Sequence, residues 1–217
     1  MTDIIRADAV GVAIGDLALL TPVSLAVPRG HALAVVGPNG SGKTTLLRVL
    51  AGRTRASSGS VTIDGHAPDD RRPAFRRQVA ALLGVPPLAR NLTLREHMVL
   101  VAASWGVGVD EAGRRSDALL DELELHRLAS RFPHELSSGQ TQLFTLALTL
   151  SRPCEVLLLD EPEQRLDPDR LALVSGVLQR VVAGGTTLVV ASHSAPLVDQ
   201  VADSTLPLTE AADDIRR

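Results

Sequence analysis

The run Gly37-Pro-Asn-Gly-Ser-Gly-Lys-Thr44 constrains this chain more than any other feature. It follows a short apolar stretch, residues 32–36, and precedes residues 44–50, whose apolar side chains recur at the spacing of one buried helix face. A strand, a glycine-rich loop and a helix in that order turn successive backbone N–H groups inward as a nest for an anion, and the helix N-terminus adds partial positive charge. Lys43 is the sole lysine among 22 Lys and Arg residues. Arginine presents a broad planar fork, lysine a compact ammonium on a thin stem. A position that keeps lysine in a chain otherwise built with arginine reads as a tight pocket for a point anion. In a phosphate loop the lysine reaches the β- and γ-phosphates, and the hydroxyl that follows it, here Thr44, sits on Mg²⁺.

Composition narrows the rest. Hydrophobic residues make up 45% and aromatics only 2%, so the core must be built from Leu, Val and Ala. With 217 residues there is room for one large domain, or one domain with an insertion. A net charge of -3 gives no basic footprint for nucleic acid. The cluster Arg71, Arg72, Arg76, Arg77 is locally basic and reads as a solvated face. The single Cys154 has no partner for an internal disulfide and adjoins apolar residues, so a buried, unreactive thiol is expected. The first residues lack a charged region followed by an apolar stretch, and no apolar run reaches the roughly 18 residues of a membrane span. The expectation is a soluble, cytoplasmic protein; if it works at a membrane, another chain must hold it there.

Strand-like and helix-like segments alternate, the pattern of an α/β fold with a mostly parallel sheet. Strands are expected at residues 4–10, 23–27, 32–36, 61–63, 156–159 and 186–191, with Asp64-Gly65 as a turn. From about residue 86 to 150 the signals are helical. Thr93-Leu-Arg-Glu96 has the form of a capping box opening a helix toward Trp105. Residues 110–123 form a second amphipathic helix, and Ser137 or Ser138 caps a third that runs to Leu150. This stretch reads as a helical subdomain inserted into the core. A helix over 168–182, with Pro168 in its first turn, ends at Gly184-Gly185, and residues 209–217 are polar and expected to fray.

A metal-bound triphosphate needs a carboxylate for the metal and a group to orient water. Val156-Leu-Leu-Leu-Asp160-Glu161-Pro162 offers both. The apolar strand carries Asp160 to the carboxyl edge of the sheet, where α/β proteins bind ligands. Asp160 would reach Mg²⁺ through its water shell, and Glu161 would act as general base on the attacking water.

Leu136-Ser137-Ser138-Gly139-Gln140, about twenty residues before Asp160-Glu161, resembles the signature motif of ATP-binding cassette (ABC) proteins. Leu166-Asp167 resembles their D-loop, and His193 their switch histidine. The resemblance spans nearly the whole chain. It implies a P-loop NTPase-like core, a small antiparallel β subdomain and the inserted helical subdomain within one domain. It further implies ATP held by Gly37, Pro38, Asn39, Gly40, Ser41, Gly42, Lys43, Thr44 and Thr45, and Mg²⁺ at Thr44 and Asp160. Hydrolysis would involve Glu161 and His193, with His193 hydrogen-bonding the γ-phosphate. Two copies, identical or not, would meet head-to-tail, so that Ser137, Ser138, Gly139 and Gln140 close over the partner's ATP, with Asp167 in the D-loop. A separate transmembrane subunit would complete a transporter, placing this chain on the inner face of the cell membrane. No nucleic acid is expected. A non-transport ATPase of the same family, or a slow nucleotide switch, is the alternative.

The sequence departs from the family in three places. No aromatic residue stands in Val12-Ala-Ile-Gly-Asp16, where a ring would stack on adenine; Ile14 is nearest the expected place. The family's Q-loop glutamine is missing from Leu83-Gly-Val-Pro-Pro-Leu-Ala89, where Val85 stands and offers the metal no ligand, and Gln78 precedes a strand rather than following it. Slow hydrolysis or another coupling route is the expectation. Ser138 replaces the usual glycine of the signature, and Glu163-Gln-Arg165 is an unusual lead into the D-loop.

Overall fold

The structure, a computed structural model, describes residues 2–209. The chain opens with a long hairpin, β1 (Asp3–Ile14) and β2 (Leu17–Pro28), followed by β3 (Ala32–Val36) and α1 (Lys43–Leu50). After β4 (Ser58–Ile63), a short α2 (Pro73–Gln78) leads into β5 (Val79–Leu82). Helices α3 (Leu94–Ser104), α4 (Val109–Glu122) and α5 (Ser138–Leu150) come next. The chain then alternates through β6 (Val156–Asp160), α6 (Pro168–Ala183), β7 (Thr187–Ala191), α7 (Ala195–Val201) and β8 (Ser204–Pro207).

Two sheets result. The first is antiparallel, in the order β2-β1-β4; the second is wholly parallel, in the order β5-β6-β7-β3-β8. The parallel sheet divides two hydrophobic cores, and its side chains alternate between them. Leu33, Val35, Val156, Leu158, Val189 and Ala191 face the core shared with α1 and the antiparallel sheet. Ala32, Ala34, Leu157, Leu159, Leu188 and Val190 face the core built by the helices. Strands buried on both faces lose the polar alternation of a surface strand, which is why β6 and β7 read as unbroken apolar runs.

Local chemistry sets the helix starts. Thr93 Oγ1 accepts the Glu96 N–H while the Glu96 carboxylate accepts the Thr93 N–H, the expected capping box. Pro168 occupies the first turn of α6 behind the N-cap Asp167. Helices α3 and α4 pack on each other, whereas α5 also lies on β5, so the third helix of the inserted segment forms part of the helical core beneath the sheet.

The structure lengthens the expected hairpin. Its strands reach Ile14 and Leu17, beyond the stretches 4–10 and 23–27, because bulges in β1 reset the register. Ala9 takes a φ of 47° within this irregular stretch, and the disrupted alternation hides the strand from a period-two reading. Strand β4 likewise begins at Ser58, before the expected 61–63. The elements α2, α7 and β8 are additional to the helices and strands expected, and β5 is the strand expected after Gln78. Residues 210–217 of the tail expected to fray lie outside the described residues.

Candidate functional site

Helix α1 begins where β3 leaves the sheet, and Gly42 caps it at φ 94°. A Cβ at Gly42 would fall 2.8 Å from the Leu19 carbonyl oxygen, and one at Gly37 would fall 2.3 Å from that of Leu208. Backbone approaches this close admit only glycine. Lys43 is 6% exposed, and its ammonium donates to the carbonyls of Gly37 at 2.8 Å and Pro38 at 2.9 Å. Two of its three donors therefore hold the loop in shape, leaving one for an anion. The buried Ser41 hydroxyl has no hydrogen-bond partner in the described protein.

The strand β6 brings its acids to the same edge. Thr44 Oγ1 donates to Asp160 Oδ2 at 2.8 Å, joining residues 116 positions apart. Asp160 Oδ1 is buried and without a partner. Burial raises the Asp160 pKa above the ordinary carboxylate value; the Thr44 hydrogen bond opposes this, Glu161 reinforces it, and Lys43 and Arg48 oppose it. A half-dry carboxylate with one bare oxygen, beside a hydroxyl, is the donor set of a hard divalent cation that keeps several waters. Thr44 and Asp160 fit Mg²⁺ on these grounds.

Glu161 adopts φ 48°, an uncommon conformation for a residue with a Cβ, and its backbone N–H donates to the Ala191 carbonyl at 2.9 Å. Gln142, from α5, donates to the carbonyls of Glu161 and Pro162, each at 3.2 Å. These bonds fix the turn after β6 against its neighbours, as a strained backbone near a site requires. The Glu161 carboxylate lines a cavity of about 450 Å³ together with Asn39, Gly40, Lys43, Thr44 and Thr45. His193, just beyond β7, brings Nε2 to 3.0 Å from Glu161 Oε1. The loop, both acids and the histidine thus converge on one sheet edge.

The apolar wall of the cavity corrects one expectation. Leu17, Ala18 and Leu19 line it, whereas Ile14 does not. Leu17 is 60% exposed and stands in the open as the apolar surface available to a base. Val85, 55% exposed, lies in the loop after β5, and Gln78 ends the helix before it, so neither brings an amide to the cavity.

Ser137, Ser138, Gly139 and Gln140 also lie outside the cavity of their own chain. Ser137 Oγ accepts the Gln140 N–H at 3.3 Å and Gln140 Oε1 accepts the Ser137 N–H at 2.9 Å, a second capping box. Both serines are exposed. The first N–H groups of a helix have no partner within it, and here Ser138 is exposed whereas Gly139 is buried. A Cβ on Gly139 would meet the Arg165 carbonyl oxygen at 3.0 Å, so this helix start packs against the segment that leads to Asp167. Asp167 accepts the Arg170 N–H at 2.9 Å as the α6 cap.

Three residues that bind the site together were not singled out by sequence: Gln142, Gln164 and Ser192. Gln164 Nε2 donates to Glu161 Oε2 at 3.2 Å, and Ser192 Oγ donates to Glu163 Oε1. Gln164 lies in the unusual lead into the D-loop and Ser192 adjoins His193, whereas Gln142, 19 residues before Glu161, had only its place behind Gln140 to hint at it.

Comparison with known proteins agrees with this geometry. The sequence pattern of the family described as ABC transporter matches residues 20–164. A daunorubicin resistance ATP-binding protein of Streptomyces coeruleorubidus is 34% identical over 189 residues, covering 87% of this chain. The chain spans 60% of the length of that relative. A cobalt import ATP-binding protein of Rhodobacter capsulatus is 36% identical over 208 residues, covering 94% of this chain and 74% of the relative. A solved ATP-binding subunit of an ABC transporter superposes with a TM-score of 0.84 at 28% identity, over 94% of this chain and 85% of that one. The order of the motifs, the two-sheet fold that carries them and these likenesses have one explanation: the chain belongs to the ABC transporter family, as its nucleotide-binding domain.

Proposed function

We propose that this chain binds and hydrolyses ATP as the cassette subunit of a transporter, driving a separate membrane-spanning partner through head-to-tail dimerisation. The observation that carries the reading is the 2.8 Å bond from Thr44 to Asp160, which ties the phosphate loop to the acid strand and leaves Asp160 Oδ1 bare. No helix among the described residues is long and apolar enough to cross a membrane, so attachment there falls to the partner.

The loop N–H groups and the Lys43 ammonium bind the β- and γ-phosphates and offset their charge. Thr44 and Asp160 would hold Mg²⁺, which would neutralise charge on the phosphate oxygens. Glu161 accepts a proton from a water whose oxygen bonds to the γ-phosphorus, and the bond from that phosphorus to the bridging oxygen breaks, releasing ADP and phosphate. His193 Nε2 faces the Glu161 carboxylate without nucleotide and donates to the γ-phosphate when ATP is bound. The exposed signature serines close over the nucleotide of the second copy. Val85 contributes no ligand, so turnover is slow for such a site.

Phosphate release and sedimentation of the wild type and Glu161→Gln, each with saturating Mg-ATP, test the reading. The wild type should release phosphate, and the variant should release it about 100-fold more slowly while sedimenting as an ATP-dependent dimer. A wild type that releases none removes hydrolysis. A variant that stays monomeric removes the homodimer.

A further inference from the structure

The lead into the D-loop, Glu163-Gln-Arg165, departs from the family pattern and reaches into the site. Glu163 Oε1 accepts two donors from the loop after β7: the Ser192 hydroxyl, and the His193 backbone N–H at 3.0 Å. Ser192 is 1% exposed, and its oxygen in turn accepts the Ser194 N–H at 3.0 Å. Ser194 is the N-cap of α7. One carboxylate oxygen therefore ties the turn after β6 to three successive residues that open α7. On the other side of the pair, Gln164 Nε2 holds Glu161 Oε2 while His193 Nε2 faces Glu161 Oε1.

We propose that Glu163 and Gln164 form a brace for the Glu161–His193 pair, with Glu163 positioning His193 through its backbone and Gln164 positioning the base directly. This rests on the reading of Glu161 as the base. A histidine on an exposed loop has many orientations, and misplacement of a reacting group by about 1 Å costs on the order of 100-fold in rate. Glu163 removes that freedom without touching substrate, so it is a positioning residue. Its second oxygen, Oε2, is buried and makes no hydrogen bond. Conversion to the amide therefore removes none of the bonds that form the brace.

Two measurements on full-length protein test this, one of them independent of hydrolysis. In the nucleotide-free state, the backbone amide proton of His193 should move upfield in Glu163→Ala, as loss of a carboxylate acceptor requires, and stay near its wild-type position in Glu163→Gln. In ATP hydrolysis, Glu163→Ala should lower kcat by about tenfold with KM within about threefold of the wild type, and Glu163→Gln should restore kcat to within about threefold. In a His193→Ala background, Glu163→Ala should have no further effect, because its route of action is gone. An unmoved His193 amide in Glu163→Ala overturns the brace whatever the chain catalyses. An amide that moves with kcat unchanged, or an equal loss in the His193→Ala background, overturns its role in positioning His193.

Discussion

At Asp160 the requirements of folding and of chemistry oppose each other. Burial raises its pKa, so ionising it in the folded chain is harder than in the unfolded one. Below the ordinary value of 3.8 it is protonated in both states and contributes nothing. As pH rises, the unfolded chain ionises first, and the folded chain follows only at its raised pKa. The destabilisation grows across that window and is complete once pH exceeds the raised pKa. Asp160→Asn keeps the shape and an acceptor for Thr44 but removes the charge. Its melting temperature without Mg²⁺ should exceed the wild type's at pH 7 by about 2 °C, and the difference should shrink as pH falls toward the ordinary carboxylate value. Equal or lower melting at pH 7, followed by calorimetry, contradicts this account of the residue. A buried acid that costs stability is relieved by a bound cation, and the bare Oδ1 is the oxygen we propose for it.

At the scale of elements, stability at the start of α3 comes from reciprocal bonds between Thr93 and Glu96. Glu96 has its pKa lowered, first by the Thr93 backbone N–H and then by the Thr93 hydroxyl. Thr93→Ala removes the cap and should cost about 1 kcal/mol, read as a melting temperature about 2–4 °C lower in thermal unfolding. No change would mean that packing on α4 alone fixes this helix. The same cap was legible in sequence because its signal lies within four residues. Strands β6 and β7 were legible for a related reason, since burial on both faces leaves an unbroken apolar run. The short elements gave weaker signals: β5 has four residues, β8 four and α7 seven, too few for a period to emerge. Glu163 shows a further limit. Its partners Ser192 and His193 lie 29 and 30 positions away, and nothing local tells a carboxylate that braces a loop from one that points into water.

Across the whole molecule, the parallel sheet is the part that makes the site possible. Two strand pairings, β3 with β7 and β7 with β6, align the ends of these strands, so the phosphate loop, Asp160-Glu161 and His193 emerge at one edge without close sequence neighbours. The helical core and the hairpin core hold that sheet from opposite faces. The signature serines sit exposed and outside their own chain's cavity, which is the arrangement expected if a second copy completes the site. Hydrolysis and dimerisation, as proposed, both begin with a triphosphate in the loop around Lys43. Equilibrium binding of Mg-ATP to the wild type and to Lys43→Met tests that directly. The wild type should bind with a dissociation constant below about 1 mM, and the variant at least about tenfold more weakly, a loss of roughly 1.4 kcal/mol. Equal affinity in the two proteins, or no uptake by the wild type at millimolar Mg-ATP, would contradict triphosphate binding at that loop.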